Sequence, residues 1–183
     1  MTGNGRTEVR LAGAGGQGVV TAGRILAETA IRCGRNASQS QVYGPQSRGG
    51  ASRSDVVIAE DAIGFPLTDR LDVLVVLSPE AYEKYVPDLD EGALLVVDAD
   101  ARPDGSAVSR SGHEFPIVDI AQRLVGSQVA TGVVALGVLV GMTEMVDPDA
   151  LMTTVASGVP PHRREANETA LAEALDLGRA AAG

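Results

Sequence analysis

Two stretches of this chain carry residues whose types and spacing could hold an anion. The first, Gly13-Ala14-Gly15-Gly16-Gln17-Gly18, puts glycine at positions one, three and six. That spacing lets backbone N–H groups come close to a phosphate at the start of a helix. The second, Tyr43-Gly44-Pro45-Gln46-Ser47-Arg48-Gly49-Gly50, offers a guanidinium at Arg48 that can grip phosphate or carboxylate in a fork, with the Tyr43 hydroxyl nearby. The candidate ligand-contacting set is therefore Gly13, Gly15, Gly16, Gln17, Gly18, Tyr43, Arg48 and Gly49, and no residue stands out as catalytic. Each has a plainer alternative. The glycines permit a tight turn and close helix packing, Arg48 can pair with a carboxylate across a subunit interface, and Tyr43 can end a strand in the core.

A dinucleotide site needs more than the glycines. It requires an acidic residue about 20 positions on, to hold the ribose hydroxyls. Between Thr29 and Gln46 there is no Asp or Glu, and Arg35 is the only basis for a 2′-phosphate contact. Asp98 and Asp100 could bind a cation or share a proton, although a turn after a strand is the simpler account. His113 and His162 have neither metal-ligand spacing nor a nucleophile beside them. Cys33 is the only cysteine, which excludes an internal disulfide and a cluster ligated wholly by this chain; it reads as a buried helix residue.

The elements that must position these residues alternate. A short apolar run, Val9 to Ala12, stops at Gly13, and apolar residues then recur at helical spacing from Val19 to Cys33. Further strands are expected at Ser38–Tyr43, Val56–Ala59, Val73–Leu77 and Leu94–Val97, the unbroken apolar ones implying burial on both faces. Ser78-Pro79 opens a short helix to Tyr85, because Ser caps and Pro suits the first helical position. Helices are also expected at Ile117–Val125, Val129–Met142, Asp147–Val155 and Arg164–Ala182, the last with Ala170, Leu171, Ala174, Leu175 and Gly178 on its apolar side. This pattern predicts one α/β domain over 1–183: three-layer and Rossmann-like, with a mostly parallel or mixed central sheet and helices on both faces.

Composition narrows the function classes. A formal charge of −9, 3% aromatic residues and no Trp argue against nucleic acid, which is gripped by clustered cations and stacking rings. The start lacks a signal pattern and no apolar run reaches the ~18 residues of a membrane helix, so a cytoplasmic protein without membrane contact is expected.

The two glycine clusters, in order, resemble the gamma subunit of 2-oxoacid:ferredoxin oxidoreductases. The likeness continues through Val19-Val20-Thr21-Ala22-Gly23, Asp72-Val73-Leu74-Val75, Ala81-Tyr82-Glu83-Lys84-Tyr85, Val97-Asp98, Val134-Ala135-Leu136-Gly137 and Glu165-Ala166-Asn167. It thus covers nearly the whole chain. Tyr43-Gly44-Pro45 before Arg48-Gly49-Gly50 resembles the 2-oxoglutarate branch; the pyruvate and indolepyruvate branches and a stand-alone Rossmann-type nucleotide binder are the alternatives.

The resemblance implies a complex that converts a 2-oxoacid and coenzyme A to acyl-CoA, CO2 and reduced ferredoxin. Thiamine diphosphate, Mg and 4Fe–4S clusters would belong to partner chains: the thiamine-binding alpha and beta subunits and a ferredoxin-like subunit or ferredoxin. This chain shows no Gly-Asp-Gly segment ending in paired Asn and has a single cysteine, so it is expected to hold none of these cofactors alone and to be unable to complete the reaction. What remains for it is assembly and the shaping of a coenzyme A or substrate entrance.

Overall fold

A computed structural model describes residues 5–42, 51–103 and 112–183. Its centre is a six-stranded sheet in the order β2-β3-β1-β4-β5-β6. The strands are β1 (Arg6–Gly13), β2 (Asn36–Val42), β3 (Ser52–Ala59), β4 (Val73–Val76), β5 (Leu94–Asp98) and β6 (His113–Phe115). β1, β4, β5 and β6 run parallel, whereas β3 is antiparallel to both β1 and β2. The sheet is therefore mixed, and the helices are α1 (Val19–Arg32), α2 (Pro79–Tyr85), α3 (Ile117–Val125), α4 (Thr131–Thr143), α5 (Pro148–Gly158) and α6 (Arg164–Ala182).

Side-chain alternation along the strands divides the core in two. Val9 and Leu11 of β1, Val73 and Val75 of β4 and Val96 of β5 enter one cluster, which α1, α3, α4, α5 and α6 complete. Ala12, Leu74, Val76, Leu95 and Val97 enter the other, which α2 closes with Ala81, Tyr82 and Tyr85. All four residues of β4 are buried because both faces are covered, which is why its sequence shows no polar break. Among the described residues the layers are unequal, with five helices on the first face and α2 alone on the second.

The second face is completed by the segment 60–72, held through polar groups rather than a helix. Glu8 is the anchor: its N–H donates to Asp72 Oδ2 at 2.8 Å, and its Oε2 accepts the N–H groups of Asp69 and Arg70 at 2.7 and 3.0 Å. Beside it the Arg10 guanidinium donates to both oxygens of Asp55, at 2.7 and 2.8 Å. A strand that must be polar on one side thus uses a fork-shaped pair, the geometry in which a buried charge is best compensated.

Helix ends follow their local chemistry. Ser78 Oγ accepts the Ala81 N–H at 3.3 Å, and Asp147 Oδ1 accepts those of Asp149 and Ala150 at 2.8 and 2.9 Å. Gly126 closes α3 in the left-handed conformation, with its N–H on the carbonyls of Ala121 and Gln122. α4 is apolar all round, and eleven of its residues, Thr131 to Gly141, are buried between neighbouring helices. Its contact with α6 is made by glycines. A Cβ on Gly141 or Gly178 would run into the backbone carbonyl of the facing helix, Leu175 or Val138. Among the described residues no helix is long and apolar enough to cross a membrane.

Candidate functional site

β1 delivers Gly13 to the carboxyl edge of the parallel strands, and α1 leaves from Gly18, so the glycine loop stands where open α/β sheets carry their ligands. Gly16 and Gly18 have φ of 94° and 72°, which only glycine adopts without strain. Gly13 is glycine for another reason. A Cβ there would stand 2.5 Å from Gln17 Oε1 and 3.0 Å from Leu77 Cβ.

Gln17 organises the loop. Its side chain is 6% exposed and folds back over Gly13: Oε1 accepts the Ala14 N–H at 2.7 Å, and Nε2 donates to the Leu77 carbonyl at 2.8 Å. Its own carbonyl accepts the Gly132 N–H at 3.0 Å. One residue thereby ties the end of β1, the end of β4 and the first turn of α4. The N-termini of α1 and α4 meet here, since a Cβ on Gly18 would overlap Val129 O and one on Gly132 would lie 2.6 Å from Gly18 O.

This geometry differs from a dinucleotide cradle in two ways. The Ala14 N–H that a pyrophosphate would take is already bonded to Gln17. Moreover, β1 is flanked by antiparallel β3 and parallel β4, while β2 lies at the sheet edge, so no strand end presents an acid to a ribose beside β1. Arg35 is also remote from the loop. It precedes β2 at the opposite edge of the sheet, and its guanidinium donates to the carbonyls of Met145 and Gly5, both at 3.3 Å. The glycine spacing therefore serves packing first. Even so, α1 has neither a side-chain cap nor an acidic residue in the first turn, so its N-terminus keeps its attraction for a negative group, whereas the first turn of α4 is buried with its Gly132 N–H on the Gln17 carbonyl.

Tyr43, Arg48 and Gly49 lie outside the described residues. The strands that bracket them do not. Val42 pairs with Arg53 and Gly13 with Ser52, so the chain leaves β2 and enters β3 at the same edge as the glycine loop. The described ends of β2 and β3 thus lie at the edge that carries the glycine loop.

The remaining candidates separate. Cys33 falls just past α1 and is half-buried, packed against the core from the helix C-cap rather than from inside the helix. His113 and His162 are both exposed, on β6 and on a short 3-10 turn before α6. Among the described residues no group of three His, Cys, Asp or Glu could hold a metal ion.

Asp98 is the acid whose role the sequence left open. At 2% exposure it accepts the Asp100 N–H at 3.0 Å, which makes the turn, and the Val118 N–H at 2.8 Å, which caps α3 from outside that helix. Pro116, the residue in the N-cap position, supplies no side-chain bond. Burial raises the Asp98 carboxyl above its ordinary 3.8, helped by the Asp100 charge and opposed by the backbone N–H groups of Val118, Asp100 and Ile117. The folded state thus holds this proton to higher pH than the unfolded chain does. The stability this group contributes is complete below 3.8 and declines as pH rises through the raised folded value. Asp98→Asn should therefore gain on the wild type as pH rises across the acid range, in thermal unfolding measured over pH 3 to 7; a constant gap would contradict this assignment.

Gln17 was noted in the sequence only as part of the loop, and its side-chain role had no local signal. Arg10 and Asp55, a part-buried pair 45 residues apart, had none either.

Comparison with known proteins bears on what this edge serves. The family model described as pyruvate ferredoxin/flavodoxin oxidoreductase matches residues 8–178. The 2-oxoglutarate synthase subunit KorC of Methanocaldococcus jannaschii is 35% identical over 177 residues, covering 95% of each chain. The keto/oxoacid ferredoxin oxidoreductase gamma subunit of Geobacter sulfurreducens superposes with a TM-score of 0.82 at 39% identity, covering 97% of this chain and 98% of that one. A 2-oxoglutarate:ferredoxin oxidoreductase from Magnetococcus marinus, solved with 2-oxoglutarate, coenzyme A and succinyl-CoA bound, superposes at 0.84 over 97% of this chain but only 32% of its own length. At 20% identity that last likeness concerns the fold alone.

Proposed function

The chain belongs to the pyruvate ferredoxin/flavodoxin oxidoreductase family, and from that premise we propose that it is the small gamma-type subunit of a 2-oxoacid:ferredoxin oxidoreductase acting on 2-oxoglutarate. One observation carries this most: the end-to-end match to a 2-oxoglutarate synthase subunit of the same length, 95% of each chain at 35% identity. The whole chain, 1–183, then acts as one gamma-type domain in the cytoplasm.

The chemistry divides accordingly. Decarboxylation of a 2-oxoacid needs an electron sink, and delivery of electrons to ferredoxin needs clusters; thiamine diphosphate, Mg and iron–sulfur centres supply these from partner chains. Cys33 alone offers no cluster, and the described residues hold no metal-binding group. This chain's contribution is the edge where the glycine loop, the N-terminus of α1 and the described ends of β2 and β3 lie. The arrangement suits an anionic co-substrate such as coenzyme A, or a partner loop, approaching the positive N-terminus of α1.

Affinity purification of the tagged chain from its native host tests the assignment. A thiamine-binding chain and a ferredoxin-like chain are expected to co-purify in fixed ratio; recovery of the chain alone would contradict the subunit role. Within the assembled complex, Arg48→Ala separates the two uses of the edge. A rise of about tenfold in KM for coenzyme A with assembly intact assigns the loop to the co-substrate, and lost assembly assigns it to the interface.

A further inference from the structure

Beyond the subunit role, and independent of it, we propose that the hollow where α1, α3, α4 and the start of α6 meet is a binding site for a small aliphatic monocarboxylate. The hollow has a volume of about 220 Å³. Its walls are largely apolar. Val125 ends α3, Val129 lies on the 3-10 turn Gln128–Ala130, Val133 is in α4 and Val159 follows α5. Thr21, Ser127, Arg163 and Asn167 supply its polar groups, and among the described residues no Asp or Glu lines it. An apolar hollow on which a few polar groups converge is the usual form of a small-molecule site.

Those polar groups are unengaged. Arg163 is exposed in the N-cap position of α6, and among the described residues its guanidinium makes neither an ion pair nor a hydrogen bond. The hydroxyls of Thr21 and Ser127 have no partner among them either. Asn167 is 4% exposed; its Nδ2 donates to the Arg163 carbonyl at 2.8 Å, while its Oδ1 accepts nothing from the described residues. An amide oxygen on so buried a residue ordinarily has a donor, which a bound molecule can supply. The acids nearest in sequence are engaged or turned elsewhere. Glu165 is two residues after Arg163, a spacing that puts side chains on different sides of a helix. Glu168 lines a separate hollow with Arg164, and Asp119 and Glu173 face Arg123.

Size and chemistry set the class of ligand. The volume is below the ~300–1,000 Å³ of clefts that hold drug-sized molecules, which leaves a short chain. One guanidinium takes one carboxylate in a fork, and four valines cover an aliphatic chain that an inorganic anion would not supply. The site also bears on the glycine loop, because the carbonyl oxygen of its Val129 wall occupies the space that a Cβ on Gly18 would need.

The test titrates pentanoate, pentan-1-ol and pentylamine, which share one chain and differ in head-group charge, into the full-length protein. Calorimetry gives the affinities, and methyl NMR of the valines locates the site. Pentanoate is expected to bind saturably and about tenfold or more tighter than the alcohol, with no binding of the amine. It should shift the methyl signals of Val125, Val129, Val133 and Val159. Arg163→Gln, at an exposed position, should reduce pentanoate to the affinity of the alcohol, and Val159→Phe, which fills the hollow, should abolish binding of both. The methyl shifts and Arg163→Gln decide the matter if Val159→Phe does not fold. Equal affinity for acid and alcohol, shifts confined to other valines, or undiminished binding by Arg163→Gln would overturn the proposal. So would inorganic phosphate displacing pentanoate at equal concentration, which would mark a general anion site. Binding by the isolated chain that is lost in the assembled complex would overturn it as well, marking the hollow as the seat of a partner side chain. None of these results bears on the subunit role, which co-purification tests separately.

Discussion

Gly18→Val is expected to cost about 4 kcal/mol of stability or more, measured by urea denaturation. Two effects add. A φ of 72° is strained for any residue with a Cβ and most for a β-branched one. The added carbon would also overlap Val129 O and sit 3.2 Å from Val129 C, and backbone cannot rotate away as a side chain can. Gly15 is the control. Nothing lies within 4 Å of a Cβ built there, so Gly15→Ala should stay within about 1 kcal/mol of wild type. Equal losses at the two positions would show that the loop is not held by the α1–α4 contact.

Gln17 should be nearly as sensitive, for a different reason. Gln17→Ala removes one acceptor and one donor, leaving the Ala14 N–H and the Leu77 carbonyl unpaired, at about 1–3 kcal/mol each. Gln17→Glu discriminates further. It keeps an acceptor for Ala14 but turns a second oxygen towards the Leu77 carbonyl at a position only 6% exposed. Its loss should therefore equal or exceed that of Ala at neutral pH and shrink in acid, where a protonated carboxyl can donate. A Glu variant as stable as wild type at pH 7 would remove Gln17 from its place at the hub.

Much of this architecture was legible in the sequence because its causes are local. Ile117–Val125 and Arg164–Ala182 form helices over the limits expected, since periodic apolar residues and flanking Pro or Gly mark both ends. The buried side of α6, with Ala170, Leu171, Ala174, Leu175 and Gly178, also follows from spacing alone. β6 does not. His113-Glu114-Phe115 is three residues long with one buried side chain, too little for a period-two signal, and it becomes a strand only because β5 supplies the ladder.

The site was legible in part. The first glycine cluster marked the turn from β1 into α1, because glycine at a strand–helix turn has a conformational cause that any sequence displays. What fills the loop was not visible. The Gln17 side chain bonds to Leu77, 60 residues on, and Asp98 caps a helix that begins 19 residues later. The charged second face was equally hidden, since nothing local to Glu8, Arg10 and Asp55 shows that Arg10 bonds to Asp55 and Glu8 to the segment 60–72. Long-range polar pairing has no period, so it leaves no pattern along the chain.

The central claim is that this chain is indispensable to a 2-oxoacid oxidoreductase and inactive by itself. Reduction of a viologen dye, dependent on 2-oxoglutarate and coenzyme A, measures it directly with three samples: the isolated chain, the partner subunits without it, and the reconstituted complex. The account predicts turnover by the complex alone, and dye reduction by the isolated chain, or an undiminished rate without it, would contradict it.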